Sequence, residues 1–301
     1  EGRFSLTGEY FREYTKDVLM DISLPPSLGF IDYKENFGEM ENKGWSLNLR
    51  TQMLRDTERE LYWSLAFGTS DSKNKIKKIT DKLGAMNDEN NKNETKKPVP
   101  LYEEGESLDA LKAVPSLGID PETGKEVFVK KDGSLTTIWD YNDKVVCGTT
   151  DPKFRGTLNS FLTFKGISLN MSFNFQWGGQ TYNQTLASRV EGVNPNSNCD
   201  RRVLYDRWKK PGDKAKFKSI SLTESTPMSS RFVMKENYLS IESVRLGYQF
   251  DSKWLKKALR ISSLNINMYM NSIARFSTLE DERGLYYPFA RSISFSLGAI
   301  L

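Results

Sequence analysis

The chain has 301 residues, and its 43 Lys and Arg side chains are nearly balanced by 39 Asp and Glu side chains, for a formal net charge of +4. This balance gives no basis for binding nucleic acid. The sequence contains no histidine, which excludes a Ser-His-Asp triad, a Cys-His pair and the usual zinc sites. We therefore expect neither an enzyme nor a bound metal or other cofactor.

The first predicted elements are two strands, 2–12 and 15–24, joined by a short link at Glu13 and Tyr14. Apolar and polar residues alternate in both, which is the period of a β-strand with one apolar face. The same alternation returns later in the chain, at 44–55, 59–72, 153–165, 167–180, 231–250, 263–276 and 291–301. The sequence thus predicts an all-β protein with about nine strands.

The predicted strand 167–180 shows the alternation most clearly. Its apolar positions are Ile167, Leu169, Met171, Phe173, Phe175 and Trp177. The residues between them are Ser, Asn and Gln. A strand in a membrane barrel needs such a pattern, because one of its faces meets lipid and the other meets a polar lumen. We therefore expect the six apolar side chains to face lipid.

The predicted connections alternate between short and long. The short ones lie at 13–14, 56–58, 166 and 251–262, and the long ones are 25–43, 73–152, 181–230 and 277–290. One end of the sheet would therefore carry turns and the other end would carry large loops. Outer-membrane barrels have this asymmetry, with short periplasmic turns and long extracellular loops.

A soluble antiparallel sandwich is the alternative, since it also alternates apolar and polar residues. Several predicted strands, however, run for about ten residues, which a tilted strand needs to cross a bilayer, whereas soluble strands usually have about five or six. Aromatic residues also stand toward strand ends, as at Trp45 and Trp63. We therefore predict a transmembrane antiparallel β-barrel. Since such barrels have an even number of strands, the odd count predicts a further strand before Glu1.

Three features of the loops have more than one interpretation. The carboxylates of segment 118–134 could bind calcium, although their spacing is not that of an EF-hand and turn chemistry explains them as well. The basic run 71–82 predicts either a solvated strand extension or a contact with lipopolysaccharide phosphates or a partner. The two cysteines, Cys147 and Cys199, are either free thiols or a disulfide between two loops.

Several segments taken together resemble a known family. They are TTDPKFRGTLNSFLTFKGISLNMSFNFQWGGQTYN (149–183), DRW (206–208), ENYLSIESVRLGYQF (236–250), ISSLNINMYMNSIARFS (261–277) and YYPFARSISFSLGAIL (286–301). In this order they resemble the C-terminal part of SusC/RagA-type TonB-dependent outer-membrane transporters of Bacteroidetes. NFGEMENKGWSLNL (36–49) and GIDPETG (118–124) fit the same family, so the resemblance covers nearly the whole chain.

The resemblance implies a 22-stranded barrel surrounded by outer-membrane lipid, with residues 1–301 as its C-terminal portion. The family's plug domain and TonB box are not in this segment. The family also implies TonB-dependent import of an oligosaccharide or a peptide across the bacterial outer membrane. Its implied partners are a SusD-like surface lipoprotein and, through the N-terminal part, the TonB-ExbB-ExbD complex. A passive porin, or a structural or adhesive outer-membrane barrel, is the alternative.

The resemblance also suggests where the substrate or the lipoprotein would touch this chain. One long polar loop contains Arg201, Arg202 and Trp208, which are residue types common in binding surfaces. We expect these three residues, together with Tyr286 and Tyr287 of the last long loop, to contact the substrate or the lipoprotein.

Overall fold

The computed structural model describes residues 2–23, 32–81, 83–84, 87, 101–194, 196, 198–222, 225–280, 282 and 290–300. Its strands are β1 Phe4–Ser23, β2 Asp32–Asp56, β3 Leu61–Ile79, β4 Ala110–Ala113, β5 Ser116–Ile119, β6 Glu126–Val129, β7 Leu135–Thr136, β8 Val145–Thr149, β9 Phe154–Phe164, β10 Ile167–Tyr182, β11 Val233–Phe250, β12 Ser263–Ser277 and β13 Ile293–Ile300. Helical segments lie at Tyr141–Asp143, Leu186–Glu191, Arg201–Leu204, Ser230–Phe232 and α1, Lys253–Leu259.

One antiparallel sheet dominates the fold and confirms the all-β prediction. It contains β1 to β3 and β9 to β13. Consecutive strands in this series are hydrogen-bonded neighbours, so the order in the sheet is the order in the chain. The short strands β4 to β8 belong to the long connection between β3 and β9, where they form a two-stranded and a three-stranded sheet.

Within the described residues the main sheet has eight strands rather than nine, because 2–12 and 15–24 form the single strand β1. The predicted turn at Glu13 and Tyr14 lies inside β1 and is paired with β2. The sequence pattern was misleading because β1 and β2 continue past their apolar parts. Polar residues occupy both faces of the sheet just beyond those parts. A bulge near Asp17, whose φ is +53°, also interrupts the two-residue period. The further strand that the odd count predicted therefore loses its basis.

Strand pairing places the apolar residues on one face of the main sheet. One cross-strand row consists of Leu6, Leu49, Phe67, Leu158, Phe173, Ile241 and Ala274. The adjacent row on the opposite face consists of Thr7, Asn48, Gly68, Thr157, Asn174, Ser240 and Arg275. A step of one residue along each of these strands thus exchanges an apolar side chain for a polar one or for glycine. This contrast specifies the register strongly.

The connections differ greatly in length between the two ends of the sheet. At the short-turn end they are 57–60, 165–166 and 251–262, the last of which contains α1. At the long-loop end they include the first loop, 80–153, the second loop, 183–232, and the connection 278–292. The predicted alternation of short and long connections is confirmed from β2 onward. Before β2 it differs, because the predicted link 13–14 lies inside β1 and β2 begins at Asp32, inside the predicted loop 25–43. No helix in the described part of the chain is long and apolar enough to span a membrane.

The buried apolar side chains of the described residues belong to the loops and to the long-loop end of the sheet. The larger cluster contains Ala113, Tyr182, Ala187, Met228 and Phe232. A smaller cluster contains Ile76 and Leu83. The main sheet, in contrast, leaves large apolar side chains exposed, such as Leu6 at 66% and Phe295 at 73%. The packed core of this chain therefore lies at one end of the sheet and not on its apolar face.

Candidate functional site

The long-loop end contains a buried group of charges, here called the rim cluster: Glu126, Glu191 and Arg231. The guanidinium of Arg231 donates from Nη2 to Glu126 Oε2 at 2.7 Å and from Nη1 to Glu191 Oε2 at 2.5 Å. The exposed fraction of the side chain is 0% for Glu191, 3% for Glu126 and 12% for Arg231. Two carboxylates thus bind Arg231 away from water, and Lys218 Nζ lies 3.9 Å from Glu191 Oε1 as a second cation.

Further hydrogen bonds offset the energetic cost of burying these charges. Glu191 also accepts from the hydroxyl of Thr226 at 3.0 Å and from the backbone N–H of Lys218 at 3.3 Å. Burial alone would lower the pKa of Arg231, but its hydrogen bonds to Glu191 and Glu126 outweigh burial and raise the pKa above its ordinary value. Loss of one member is strongly destabilising, because it leaves a buried charge with less compensation.

The rim cluster joins the two long loops. Glu126 belongs to β6 in the first loop, and Glu191 and Arg231 belong to the second loop, Arg231 in the helical turn directly before β11. A further buried guanidinium, that of Arg207, donates to four backbone carbonyl oxygens within the second loop. Burial lowers the pKa of Arg207. The two loops are therefore fastened to each other and to the sheet as one rigid rim.

Trp208, one of the predicted contact residues, is part of this fastening. Its indole Nε1 donates to the backbone oxygen of Pro121 at 2.7 Å, which ties the second loop to the first. The ring also covers Gly124, where a Cβ atom would lie only 2.5 Å from Trp208. Gly124 has a φ of +70°, so both its backbone and its close neighbour require glycine. Trp208 is accordingly held between the loops, and its role as a partner contact stays a prediction.

Arg202 ties the second loop to the connection 278–292. Its guanidinium donates to Asp200 at 2.6 Å, to Glu280 at 2.8 Å and to Glu282 at 2.8 Å. The hydrogen bond from Arg202 lowers the pKa of Asp200 to about 2. The neighbouring Arg201 is exposed. Arg202 and Trp208 thus tie the second loop to two different segments, the connection 278–292 and the first loop.

The other predicted site residues fall into two groups. Tyr286 and Tyr287 lie outside the described residues. The six apolar residues of β10 all lie on the apolar face of the sheet, because β9 and β10 pair without a register shift from Ile167 to Trp177. Phe175 stacks on Phe67 across β9, with ring centroids 5.6 Å apart. Their contact with lipid stays a prediction, but the face on which they lie is the one the alternation predicted.

Asp120 and Asp132, two carboxylates of segment 118–134, accept hydrogen bonds within the turns in which they lie. Asp120 accepts from the hydroxyl of Thr123 at 2.5 Å, and Asp132 accepts from that of Ser134 at 2.7 Å. These hydrogen bonds lower the pKa of both carboxyl groups. The described residues contain no group of side chains that could hold a metal ion.

The two cysteines form no disulfide. Burial raises the pKa of the Cys147 thiol, whose Sγ donates to the backbone oxygen of Ala113 at 3.4 Å. Cys199 donates to the backbone oxygen of Asn194 at 3.4 Å. Both thiols therefore take part in local contacts within their own loops.

A polar cavity of about 310 Å³ opens where β10, β11 and β12 meet the loops. Among its lining residues are Asn183, Gln184, Glu236, Arg275 and Glu280. Arg275 pairs with Glu236 at 2.8 Å and lies over the ring of Tyr238, 4.0 Å from its centroid. Because Arg275 belongs to the polar face of the sheet, the cavity offers amide, carboxylate and guanidinium groups on that side. Such groups can bind the hydroxyls of a sugar or the backbone of a peptide.

An antiparallel sheet with one apolar and one polar face, and with turns at one end and large loops at the other, has the arrangement found in the wall of a transmembrane β-barrel. The solved structure of the RagAB peptide transporter has this fold, with a TM-score of 0.74 and 17% identity over 92% of this chain and 30% of that chain. The RagAB peptide importer in its 'open-open' state gives a TM-score of 0.70. No family model matches the chain.

Sequence relatives agree with the fold. TonB-dependent receptor P3 of Formosa agariphila is 24% identical over 274 residues, which cover 85% of this chain and 26% of that protein. SusC of Bacteroides thetaiotaomicron is 21% identical over 310 residues, which cover 97% of this chain and 29% of that protein. The chain thus spans less than a third of either relative. Its homologues are TonB-dependent receptors, SusC among them, and the resemblance to SusC/RagA-type transporters is confirmed.

Proposed function

We propose that this chain is part of the barrel wall of a transporter that imports an oligosaccharide or a peptide across the bacterial outer membrane, driven by TonB. The two-faced sheet, together with its homology to SusC and other TonB-dependent receptors, carries the proposal. RagAB is named a peptide transporter, which supports a peptide as one of the two substrate classes. Residues 1–301 would be the C-terminal portion of the barrel, with the plug domain and the TonB box elsewhere in the protein.

The proposal gives the sheet an orientation. The apolar face, with Phe173 near the middle of β10, faces lipid, and the polar face lines the lumen or meets the plug. The long-loop end is extracellular and the short-turn end is periplasmic, as in other outer-membrane barrels. The polar cavity beside Arg275 then lies at the outer mouth of the lumen, where an incoming substrate first meets the wall.

The second loop supplies the contact with a SusD-like lipoprotein in this proposal. Next to Arg201 and Arg202, two large side chains are strongly exposed, Leu204 at 67% and Tyr205 at 58%. Exposed apolar and aromatic side chains beside arginine are typical of protein interfaces. The rim cluster and Trp208 fasten this loop to the first loop, so the lipoprotein would meet a preformed surface.

Uptake in living cells tests the transport proposal. Cells that carry the full-length protein should take up a labelled oligosaccharide or peptide, and removal of TonB or collapse of the proton gradient should abolish uptake. A passive porin would continue to admit the solute under both conditions. Uptake that is independent of TonB would therefore refute active import and favour the porin.

Co-purification tests the proposed lipoprotein contact. We expect Leu204→Asp with Tyr205→Asp to abolish co-purification of the lipoprotein, because two charges would enter an apolar interface. Lys209→Gln with Lys210→Gln, two exposed positions of the same loop, should leave it unchanged. Full recovery of the lipoprotein with the Asp variant would place the interface elsewhere.

A further inference from the structure

A row of basic side chains crosses β1, β2 and β3 beyond the apolar part of the sheet. Arg12 pairs with Lys43, and Lys43 pairs with Lys73, so the three cations lie side by side in register. The next residues toward the short-turn end on the same face are Tyr10 and Trp45, which also pair. In β1 and β2 the change from aromatic to basic thus occurs at one level, whereas the residue of β3 that pairs with Trp45 is Asp71.

Lys75 and Lys77 of β3 extend this row to a patch, here called the basic patch: Arg12, Lys43, Lys73, Lys75 and Lys77. All five side chains are exposed. In the described part of the chain one carboxylate compensates them closely: the buried Glu41 pairs with Arg12, with Lys77 at 2.6 Å and with Lys43 at 3.3 Å. Among the described residues, neither Lys73 nor Lys75 lies within ion-pair distance of a carboxylate. Like charges placed opposite each other in a sheet destabilise it, so an anion from outside the chain would relieve the repulsion.

A groove runs along the patch where the aromatic and basic levels meet. Its volume is about 470 Å³, and its lining includes Tyr10, Trp45, Lys43, Lys73 and Lys75 together with the carboxylates Glu41, Asp71 and Glu106. Glu41 and Glu106 are already engaged, Glu41 with cations of the patch and Glu106 with Lys112 at 2.7 Å, whereas Asp71 lies opposite Trp45. The groove therefore offers one ligand an apolar floor and two cations, Lys73 and Lys75, that have no carboxylate partner among the described residues. Such a ligand must carry both an apolar part and negative charge.

The position of the patch identifies the class of ligand. Lys43 lies two residues beyond Trp45 on the same face, about 7 Å farther along the strand. Aromatic side chains stand at the membrane interface of barrels, so the cations would stand at the level of the lipid headgroups. We propose that the basic patch binds the phosphorylated headgroup of an outer-leaflet glycolipid, with its acyl chains against Tyr10 and Trp45. This inference rests on the lipid-facing orientation given under the proposed function.

Binding of purified lipid A to the full-length transporter in detergent tests the inference. A titration followed by native mass spectrometry gives the apparent Kd for bisphosphorylated lipid A. A lysine at an anionic lipid surface contributes about 1 kcal/mol, or about fivefold in affinity. Lys43→Gln with Lys73→Gln should therefore weaken binding by about 30-fold. Lys209→Gln with Lys210→Gln, which removes the same charge from the second loop, should change the Kd by less than about twofold, and lipid A without phosphates should bind as weakly as the first variant binds lipid A.

Three results would overturn the inference: equal Kd values for the wild type and Lys43→Gln with Lys73→Gln, equal binding of lipid A with and without phosphates, or competition by inorganic phosphate at concentrations equal to lipid A. The last would make the patch a site for free anions. Heat-modified migration on gels shows first that each variant is a folded barrel. TonB-dependent uptake and the lipid contact of Phe173 are measured separately, so failure here is distinct from failure of the proposed function.

Discussion

Replacement of Phe173 by arginine tests which face of the sheet meets lipid. Phe173 pairs with Leu158 on one side and Ile241 on the other, so its neighbours across the strands are apolar. It lies about 20 Å along the strand from Ile167 and about 13 Å from Trp177, close to the middle of the apolar stretch. An arginine near the bilayer midplane costs a barrel about 2–4 kcal/mol, which lowers the ratio of folded to unfolded protein by about 30-fold or more.

Asn174→Arg provides a matched control one residue away. Asn174 lies on the opposite face, between Thr157 and Ser240, where the neighbours are polar. We expect this variant to stay within about 0.5 kcal/mol of the wild type, as is usual for a surface substitution. Urea unfolding of the full-length barrel in lipid vesicles, followed by tryptophan fluorescence, compares the three proteins. Equal losses for the two variants, or a larger loss for Asn174→Arg, would refute the assignment of the faces.

Three further predictions concern the loops. Arg231→Met should deprive the buried Glu126 of its cation and leave Glu191 with Lys218, 3.9 Å away, at a cost of about 3–5 kcal/mol; proteolysis of both loops should accelerate while the barrel stays folded, and unchanged proteolysis would contradict the account. Gly124→Ala should loosen the second loop because its Cβ would meet Trp208, whereas Gly133→Ala, where φ is +83° and no atom lies within 4 Å of an added Cβ, should show the backbone strain alone; equal proteolysis rates for the two would argue against the contact with Trp208. The pKa of Asp200 lies at about 2, below its ordinary value of 3.8, so the stability it contributes is complete above about pH 4 and is lost as the pH falls toward 2. Hydrogen-exchange protection of the Arg202 amide, which donates to Asp200 at 2.8 Å, should follow this profile in the wild type, and an identical profile in Asp200→Asn would speak against it.

The strands of the barrel wall were predictable because their signal is local. The alternation from Ile167 to Trp177 needs only neighbouring residues, and β10 follows it without a register shift against β9. The alternation gave a wrong prediction where a strand continues beyond its apolar residues. At Glu13 and Tyr14 neither face of β1 is apolar, so a paired strand has the composition of a turn.

The rim cluster was not predictable from the sequence for a different reason. Arg231 and Glu126 are separated by 105 positions and Arg231 and Glu191 by 40, so no spacing marks them as partners. Arg207 differs from other arginines in being buried, and its burial arises only when the second loop folds, so the sequence does not reveal it.

Accessibility of positions 173 and 174 to quenchers tests most directly that this chain forms a membrane-crossing wall. A full-length protein with Cys147, Cys199 and any other cysteine replaced would carry Phe173→Cys or Asn174→Cys, each labelled with a fluorophore, in lipid vesicles. We predict that a quencher confined to the bilayer reaches the label at 173 and that a water-soluble quencher reaches the label at 174. A soluble sandwich could also suffer from Phe173→Arg through loss of core packing, but it would not place residue 173 in lipid. Quenching of the label at 173 by the water-soluble agent, without quenching from the bilayer, would contradict the barrel wall.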